Sequence, residues 1–401
     1  MKKMSRLIVL LCAFSCAFNA WGATDFNAWK SNFYKQAQKQ NISKEILDRY
    51  FVKAVYLPSV IESDRAQPEF TCSFGKYMQR VISDDRIKKG REMLQKHATL
   101  LEKVEQKYGI PAHYLVAFWG IETNFGTVKG SVDILNSLST LSFDERRSAF
   151  FSEQLITLLK IMQEEKVGVP TGSWAGAYGH FQFMPTTFYQ YAVDGDGNGQ
   201  RDILNSFDDA VFSAGNYLNK MGWVRAQSWG RQVILSGDLY SKTGEKHPLS
   251  DWVKWGIKRA DGRTYNEKDL SIKAELILPE GKNGPAFLVY KNFDVIKRWN
   301  RSDFYALAVG VLADKINKRS TLDVKNMKVL PGLSRDDVKS MQEVLKKENF
   351  YDGNVDGVLG SGTRNAVKKY QKSHKLPADG FLSKELLEFS KKSSKSNVEQ
   401  R

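Results

Sequence analysis

Apolar residues recur at helical spacing over most of the first 320 positions. Residues 26–101 read as largely helical, with interruptions near Pro58 and Pro68. A helix over 100–108 stops at Gly109, and Pro111 suits the first turn of the next. In a helix over 112–123, Leu115, Phe118, Trp119 and Glu122 share one face. Helical periodicity returns at 150–162, 209–221 and 304–316, and glycine-rich stretches at 168–179 and 194–199 read as loops. Short apolar runs at 274–278 and 286–290 flank Pro279-Glu280-Gly281-Lys282-Asn283-Gly284-Pro285, which predicts a small β-hairpin with a long turn.

The pattern changes after residue 316. Residues 317–332 are polar and end in Pro331-Gly332, which places a linker at 321–332. Ser334 with Asp337 three positions on resembles a capping box, opening a helix with Val338, Met341 and Leu345 on one face. Asp356-Gly357 and Asp379-Gly380 mark turns, and Thr363 opens a helix bearing Ala366, Val367 and Tyr370. A second, small domain is therefore expected over 333–390, following a main domain over 24–320. The serine- and lysine-rich end, 391–401, is expected to be disordered.

The first 22 residues stand apart. Lys2, Lys3 and Arg6 precede an apolar run over 7–18 that is too short to span a bilayer, and small residues follow at Ala20, Gly22 and Ala23. This is the layout of a secretory signal peptide, so the mature chain is expected in the periplasm. Of three cysteines, Cys12 and Cys16 lie in that segment, leaving Cys72 alone without a disulfide partner. Their neighbours Leu11 and Phe14 do not favour lipidation. The formal charge is +15, about +12 without the leader, and the hydrophobic content of 42% is ample for a packed core. A basic protein suits an anionic partner, and export argues against nucleic acid.

Two constellations carry chemistry. Glu122 sits on an apolar, aromatic face, where desolvation favours the neutral acid and suits a general acid. The competing reading is a glutamate emerging into solvent at a helix edge. Asp194, Asp196, Asn198 and Gln200 fall at positions 1, 3, 5 and 7 of an EF-hand-like opening, but position 12 is Asn205 instead of glutamate. A structural calcium and an ordinary tight turn that binds no metal strongly stand as equal alternatives.

The chain resembles the lytic murein transglycosylase B family. The blocks that carry the likeness are Gln67-Pro68-Glu69-Phe70, WGIETNFG at 119–126, residues 138–147 with Arg146-Arg147, and GSWAGAYGHFQFMP at 172–185. YAVDGDGNG at 191–199, Asn216-Tyr217-Leu218, GPAFLVYKNF at 284–293 and RWNRS followed by Tyr305 continue it. The region 333–389 resembles peptidoglycan-binding modules through Gln342, VDGVLGSGT at 355–363, Gln371 and Asp379-Gly380. The resemblance implies a mainly α protein: a lysozyme-like core with helical additions and a small β-hairpin, then a three-helix binding bundle. It implies cleavage between N-acetylmuramic acid and N-acetylglucosamine with Glu122 as acid and then base, forming 1,6-anhydro ends, and no required cofactor; some members close the acidic loop around a structural calcium with a later aspartate, matched here by Asp209 or, as the alternate, Asp208. Ser173, Gln182, Trp299, Asn300, Tyr305, Tyr217 and Arg147 are the implied saccharide contacts. Tyr178-Gly179-His180 departs from the family's usual Met-Gly-Gln, which puts substrate detail in doubt.

Peptidoglycan is the implied partner, with wall-synthesis or remodelling proteins beyond it, and a monomer is expected. Two rival readings remain: a hydrolytic muramidase using Asp133 or Asp144 as base, and a wall-binding scaffold without catalysis.

Overall fold

The computed structural model describes residues 25–66 and 72–399. The leader over 1–22 and the Gln67-Pro68-Glu69-Phe70 block lie outside the described residues. The chain divides into two units, residues 1–66 with 122–216 and residues 67–121 with 217–401.

The first unit is helical: α1 (25–39), α2 (Lys44–Arg49), α3 (Pro58–Ala66), then later in the chain α8 (Ile134–Phe143), α9 (Ser148–Glu164) and α10 (Pro185–Tyr191). Leu138 and Leu141 on α8 and Leu155, Leu158, Leu159 and Met162 on α9 are all buried, so the packed α8–α9 pair forms its core. A two-residue ladder joins β1 (Val132–Asp133) to β2 (Thr171–Gly172). Gly172 is required there, since a Cβ would stand 2.2 Å from the Ala177 carbonyl oxygen.

The second unit begins with α4 (Phe74–Val81), α5 (Asp84–Lys96) and α6 (Ala98–Tyr108). The helices α7 (Ala112–Thr123) and α11 (Phe207–Lys220) each continue from one unit into the other. The predicted hairpin is present as β6 (Lys273–Ile277) against β7 (Ala286–Val289), but it is the centre of something larger. With β3 (Gly230–Ile234), β4 (Lys246–Pro248) and β5 (Lys258–Arg259) it forms a five-stranded antiparallel sheet in the order β4-β6-β7-β3-β5. The helix α12 (Leu249–Lys254) buries Trp252 against this sheet. The helices α13 (Lys291–Trp299) and α14 (Asp303–Ile316) follow, and Gly310 lets α14 close on Trp229, whose ring lies 2.3 Å from where a Cβ would be.

Residues 317–332 carry no helix or strand, yet they are tied down. Leu322 and Val324 are buried, and the Gln79 amide donates to the carbonyls of Lys325 and Met327, each at 3.0 Å.

The terminal helices α15 (Arg335–Lys347), α16 (Ser361–Ser373) and α17 (Lys384–Glu399) enclose Val338, Met341, Leu345, Val367, Tyr370 and Leu387. Ser334 and Asp337 form the reciprocal capping box. Both Asp-Gly turns are locked the same way. Buried Gln342 donates to Asp356 and accepts from the Gly357 N–H; Gln371 donates to Asp379 and accepts from the Gly380 N–H. A buried amide with each polar end satisfied fixes a turn without a disulfide. The tail expected to be disordered from Lys391 instead extends α17 to Glu399, because no glycine or proline interrupts it.

Candidate active site

The segment Ala112–Ile121 carries no charged side chain and is apolar all round, so α7 is an interior helix. Leu115, Phe118 and Trp119 are buried, as the spacing predicts. Glu122 follows in the last turn and is half-buried. Phe118, one turn earlier on the same helix, packs against Trp299 at 4.7 Å between ring centroids and against Tyr305 at 6.3 Å.

The end of α7 is held by a device the sequence reading missed. Thr123 is 1% exposed; its Oγ1 donates to the His180 carbonyl at 2.8 Å and accepts from the Gly126 N–H at 3.0 Å. Asn124, Phe125 and Gly126 then adopt φ of 47°, 60° and 79°, three successive left-handed residues. Such a run is costly for a phenylalanine and persists only where packing enforces it; Phe125 is buried. The Thr-Asn-Phe-Gly order therefore encodes a helix stop directly after the carboxylate. The glycine spacing of the motif was the signal for it.

The turn over 172–183 forms bridges at Gly172–Tyr178 and Tyr178–Phe183. It carries two predicted groups. Ser173 Oγ accepts from the Ala177 N–H at 3.1 Å, which leaves its hydroxyl proton to donate. Gln182, at φ 51°, donates its amide to the carbonyls of Lys129 (3.0 Å) and Gly179 (3.1 Å), leaving Oε1 as an acceptor. The Gln182 and Thr123 bonds together tie this turn to the chain just after Glu122.

Other predicted residues divide by environment. Tyr217 is buried, donates to the Arg298 carbonyl at 2.8 Å and packs edge-on against half-buried Trp299 at 5.0 Å. Tyr305 is buried, whereas Asn300 is exposed, its Oδ1 accepting from the Ser302 N–H at 3.0 Å. Arg147 is exposed and lies over the rings of Phe150 and Phe151, while the neighbouring Arg146 anchors to Asp64 at 2.5 Å. The His180 ring packs against Phe207.

The two alternative bases each cap the start of a helical turn. Asp133 caps α8, accepting from the Asn136 N–H at 2.9 Å. Asp144 caps the following 3-10 turn through the Arg146 N–H and pairs with Arg65 at 3.1 Å.

The acidic loop folds around a buried carboxylate. Oxygens of Asp194, Asp196 and Asp209 lie within 4.8 Å of one another. Asp209 accepts from the N–H groups of Gly195 (2.7 Å), Asp196 (3.2 Å) and Asp202 (2.7 Å), and burial pushes its carboxyl above the usual range against those bonds. Asp194 is held below its usual range by the N–H groups of Gly199, Gly197 and Asn198. Asn198 Oδ1 accepts from the Gln200 N–H. Hard oxygen donors in this number suit a divalent cation such as calcium. The loop also reaches the turn described above: His180 N–H donates to the Ile203 carbonyl, and a Cβ on Gly179 would stand 2.7 Å from that oxygen.

Residues 25–314 match the family model described as a transglycosylase SLT domain, and residues 334–389 match a putative peptidoglycan binding domain. The chain belongs to the transglycosylase SLT-domain family. Among curated relatives, the membrane-bound lytic murein transglycosylase B of Escherichia coli K12 is 32% identical over 249 residues. That match covers 60% of this chain and 66% of the relative. SltB3 from Pseudomonas aeruginosa, solved with NAG-anhNAM-pentapeptide, superposes with a TM-score of 0.84 at 37% identity, covering 91% of this chain and 99% of that one. An Escherichia coli lytic transglycosylase solved in complex with calcium gives a TM-score of 0.62 at 29% identity, covering 72% and 93%. The mainly α architecture with small antiparallel sheets is that of these transglycosylases.

Proposed function

We propose that this protein is a lytic transglycosylase that cleaves the β-1,4 bond between N-acetylmuramic acid and N-acetylglucosamine in peptidoglycan, with Glu122 as its single catalytic carboxylate. The residue assignment rests on the resemblance of the block at 119–126, and the position of its glutamate supports it. Glu122 ends an apolar helix, half-withdrawn from water at the carbonyl end, where negative charge is disfavoured. Asp133 and Asp144, the carboxylates a hydrolytic route would recruit, each cap the start of a helical turn.

The chemistry then needs one group twice. Neutral Glu122 protonates the bridging oxygen as the anomeric bond breaks, and the substrate's acetamido group stabilises the cationic carbon. The resulting carboxylate removes the proton from the sugar's own 6-hydroxyl, whose oxygen closes onto the anomeric carbon. Glu122 ends as it began and no water is consumed. The Ser173 hydroxyl, Gln182 Oε1 and the Asn300 amide supply directional bonds to sugar, and Trp299 and Tyr305 supply apolar faces. Arg147 is an outlying contact, and Tyr217 acts by supporting Trp299.

Calcium, held by Asp194, Asp196 and Asp209 with Asn198 and the Gln200 carbonyl, would supply charge neutralisation that stiffens the loop. Through Ile203 the loop buttresses the turn bearing Gln182, so the ion's part is structural. The protein is exported through residues 1–22 and acts in the periplasm as a monomer without a lipid anchor. Among the described residues no helix is long and apolar enough to cross a membrane.

The test compares sacculus digests by mass spectrometry across Glu122→Gln, Asp133→Asn and Asp144→Asn. Anhydro ends from the two aspartate variants and none from Glu122→Gln are expected. Loss of turnover in a folded Asp133 or Asp144 variant with retention in Glu122→Gln would overturn the assignment.

A further inference from the structure

The second unit contains a cavity of about 550 Å³, a size suited to a small organic ligand. One wall is sheet, with Glu275 on β6; another is the α13–α14 turn, with Asn300, Arg301 and Tyr305; the third is the terminal three-helix module. The module is fastened by charge. Asp303 at the start of α14 bridges Lys297 at 2.6 Å and Arg364 of the module at 3.2 Å. Lys368 donates to the Thr243 carbonyl at 2.9 Å, and Asp379 accepts from the Lys282 N–H at 2.9 Å.

Within this wall the charges do not all cancel. Glu275 is half-buried and makes no side-chain hydrogen bond or ion pair among the described residues. Its cross-strand neighbour Lys246 pairs with Asp294 at 3.2 Å instead, and nearby Lys297 is committed to Asp303. Burial pushes the Glu275 carboxyl up, with Lys246 and Lys297 offsetting only part of that cost. At the rim, Arg301 is exposed and likewise without an ion pair. The cavity thus offers one carboxylate wanting a cation and one guanidinium wanting an anion. Glycan units carry no ammonium, and the muramic lactyl group offers a carboxylate only once its stem is removed. A stem peptide with a diamino acid carries both, a free ammonium and free carboxylates.

We infer that this cavity binds the peptide stem of the substrate, Glu275 taking the ammonium of its diamino acid and Arg301 a stem carboxylate. The inference rests on the proposed function and adds a peptide requirement to it. The stem links the sheet wall, through Glu275, to the α13–α14 turn, through Arg301.

The experiment measures kcat/KM of the full chain on glycan strands with stems and on strands stripped by an amidase, and calorimetric binding of the free diamino-acid stem peptide. Wild type should favour stem-bearing strands. Glu275→Gln and Arg301→Ala should each lose about tenfold on those strands, the scale of one charge-assisted bond, while keeping stripped-strand activity and losing peptide binding. Equal activity of variants and wild type on both substrates, or an equal loss on both, overturns the inference. Should wild type cleave neither substrate, the proposed function fails, and peptide binding that is identical in wild type and Glu275→Gln would sink the stem site as well.

Discussion

Replacing Thr123 by valine keeps the shape of a buried side chain and removes its hydroxyl. Thr123 Oγ1 serves the His180 carbonyl and the Gly126 N–H at a position 1% exposed, so valine loses both of these bonds. At about 1 kcal/mol net per bond, the expected loss of stability is about 2 kcal/mol. Activity should fall as well, since the same bonds stop the helix directly after Glu122 and hold the turn that carries Gln182. A displacement of about 1 Å in a catalytic group costs on the order of a hundredfold. Thr123→Ser keeps the hydroxyl and loses one buried methyl, worth about 1 kcal/mol. Urea unfolding gives the stability of both variants, and turnover on purified glycan strands gives the activity. If the valine variant matched the serine variant in both, the Thr123 lock would not be what positions the carboxylate.

Glu122→Gln should retain the wild-type unfolding midpoint and lose at least about a hundredfold in rate, the scale of general acid catalysis; turnover beside thermal unfolding checks it. Asp209→Ala removes the acceptor of three backbone N–H groups and should cost about 2–4 kcal/mol. Calcium should raise the melting temperature of wild type but not of this variant, which differential scanning calorimetry would read. Asp314 is half-buried and accepts from Trp229 Nε1 at 3.0 Å, and desolvation raises its carboxyl to about 6. A raised carboxyl favours the folded state while neutral and disfavours it once ionised, so stability should decline as pH rises from about 4 through 6. The loss approaches about 3 kcal/mol at 1.36 kcal/mol per pKa unit. Asp314→Asn keeps an acceptor for Trp229 and should flatten that decline in denaturation curves taken across this range.

Periodicity made α7 and the position of Glu122 on its face legible, because a helix without polar positions has one place to go. Local chemistry also spoke plainly: Ser334 and Asp337 lie three positions apart, and each Asp-Gly pair marks its own turn, although the glutamines that lock the turns lie 8 to 15 positions away. Long-range pairing was silent. Gly230–Ile234 includes an arginine and a glutamine, and Lys246–Pro248 and Lys258–Arg259 are too short to alternate, so only tertiary contact with β6 and β7 makes them strands. The fastening of residues 317–332 along α4 was equally hidden, since Gln79 and the carbonyls it meets are more than 240 positions apart. At the site, the motif marked Glu122 but not why Thr123 and Gly126 accompany it; that needed the left-handed run and its hydrogen bonds.

Digestion of sacculi in water enriched in oxygen-18 tests the central claim most directly, because a lone carboxylate that returns its proton through the substrate's own hydroxyl leaves no step for solvent. Wild type should yield 1,6-anhydromuramic ends free of the heavy isotope, and Glu122→Gln should yield almost no product. Muramic acid ends bearing oxygen-18 at the anomeric carbon would contradict the account.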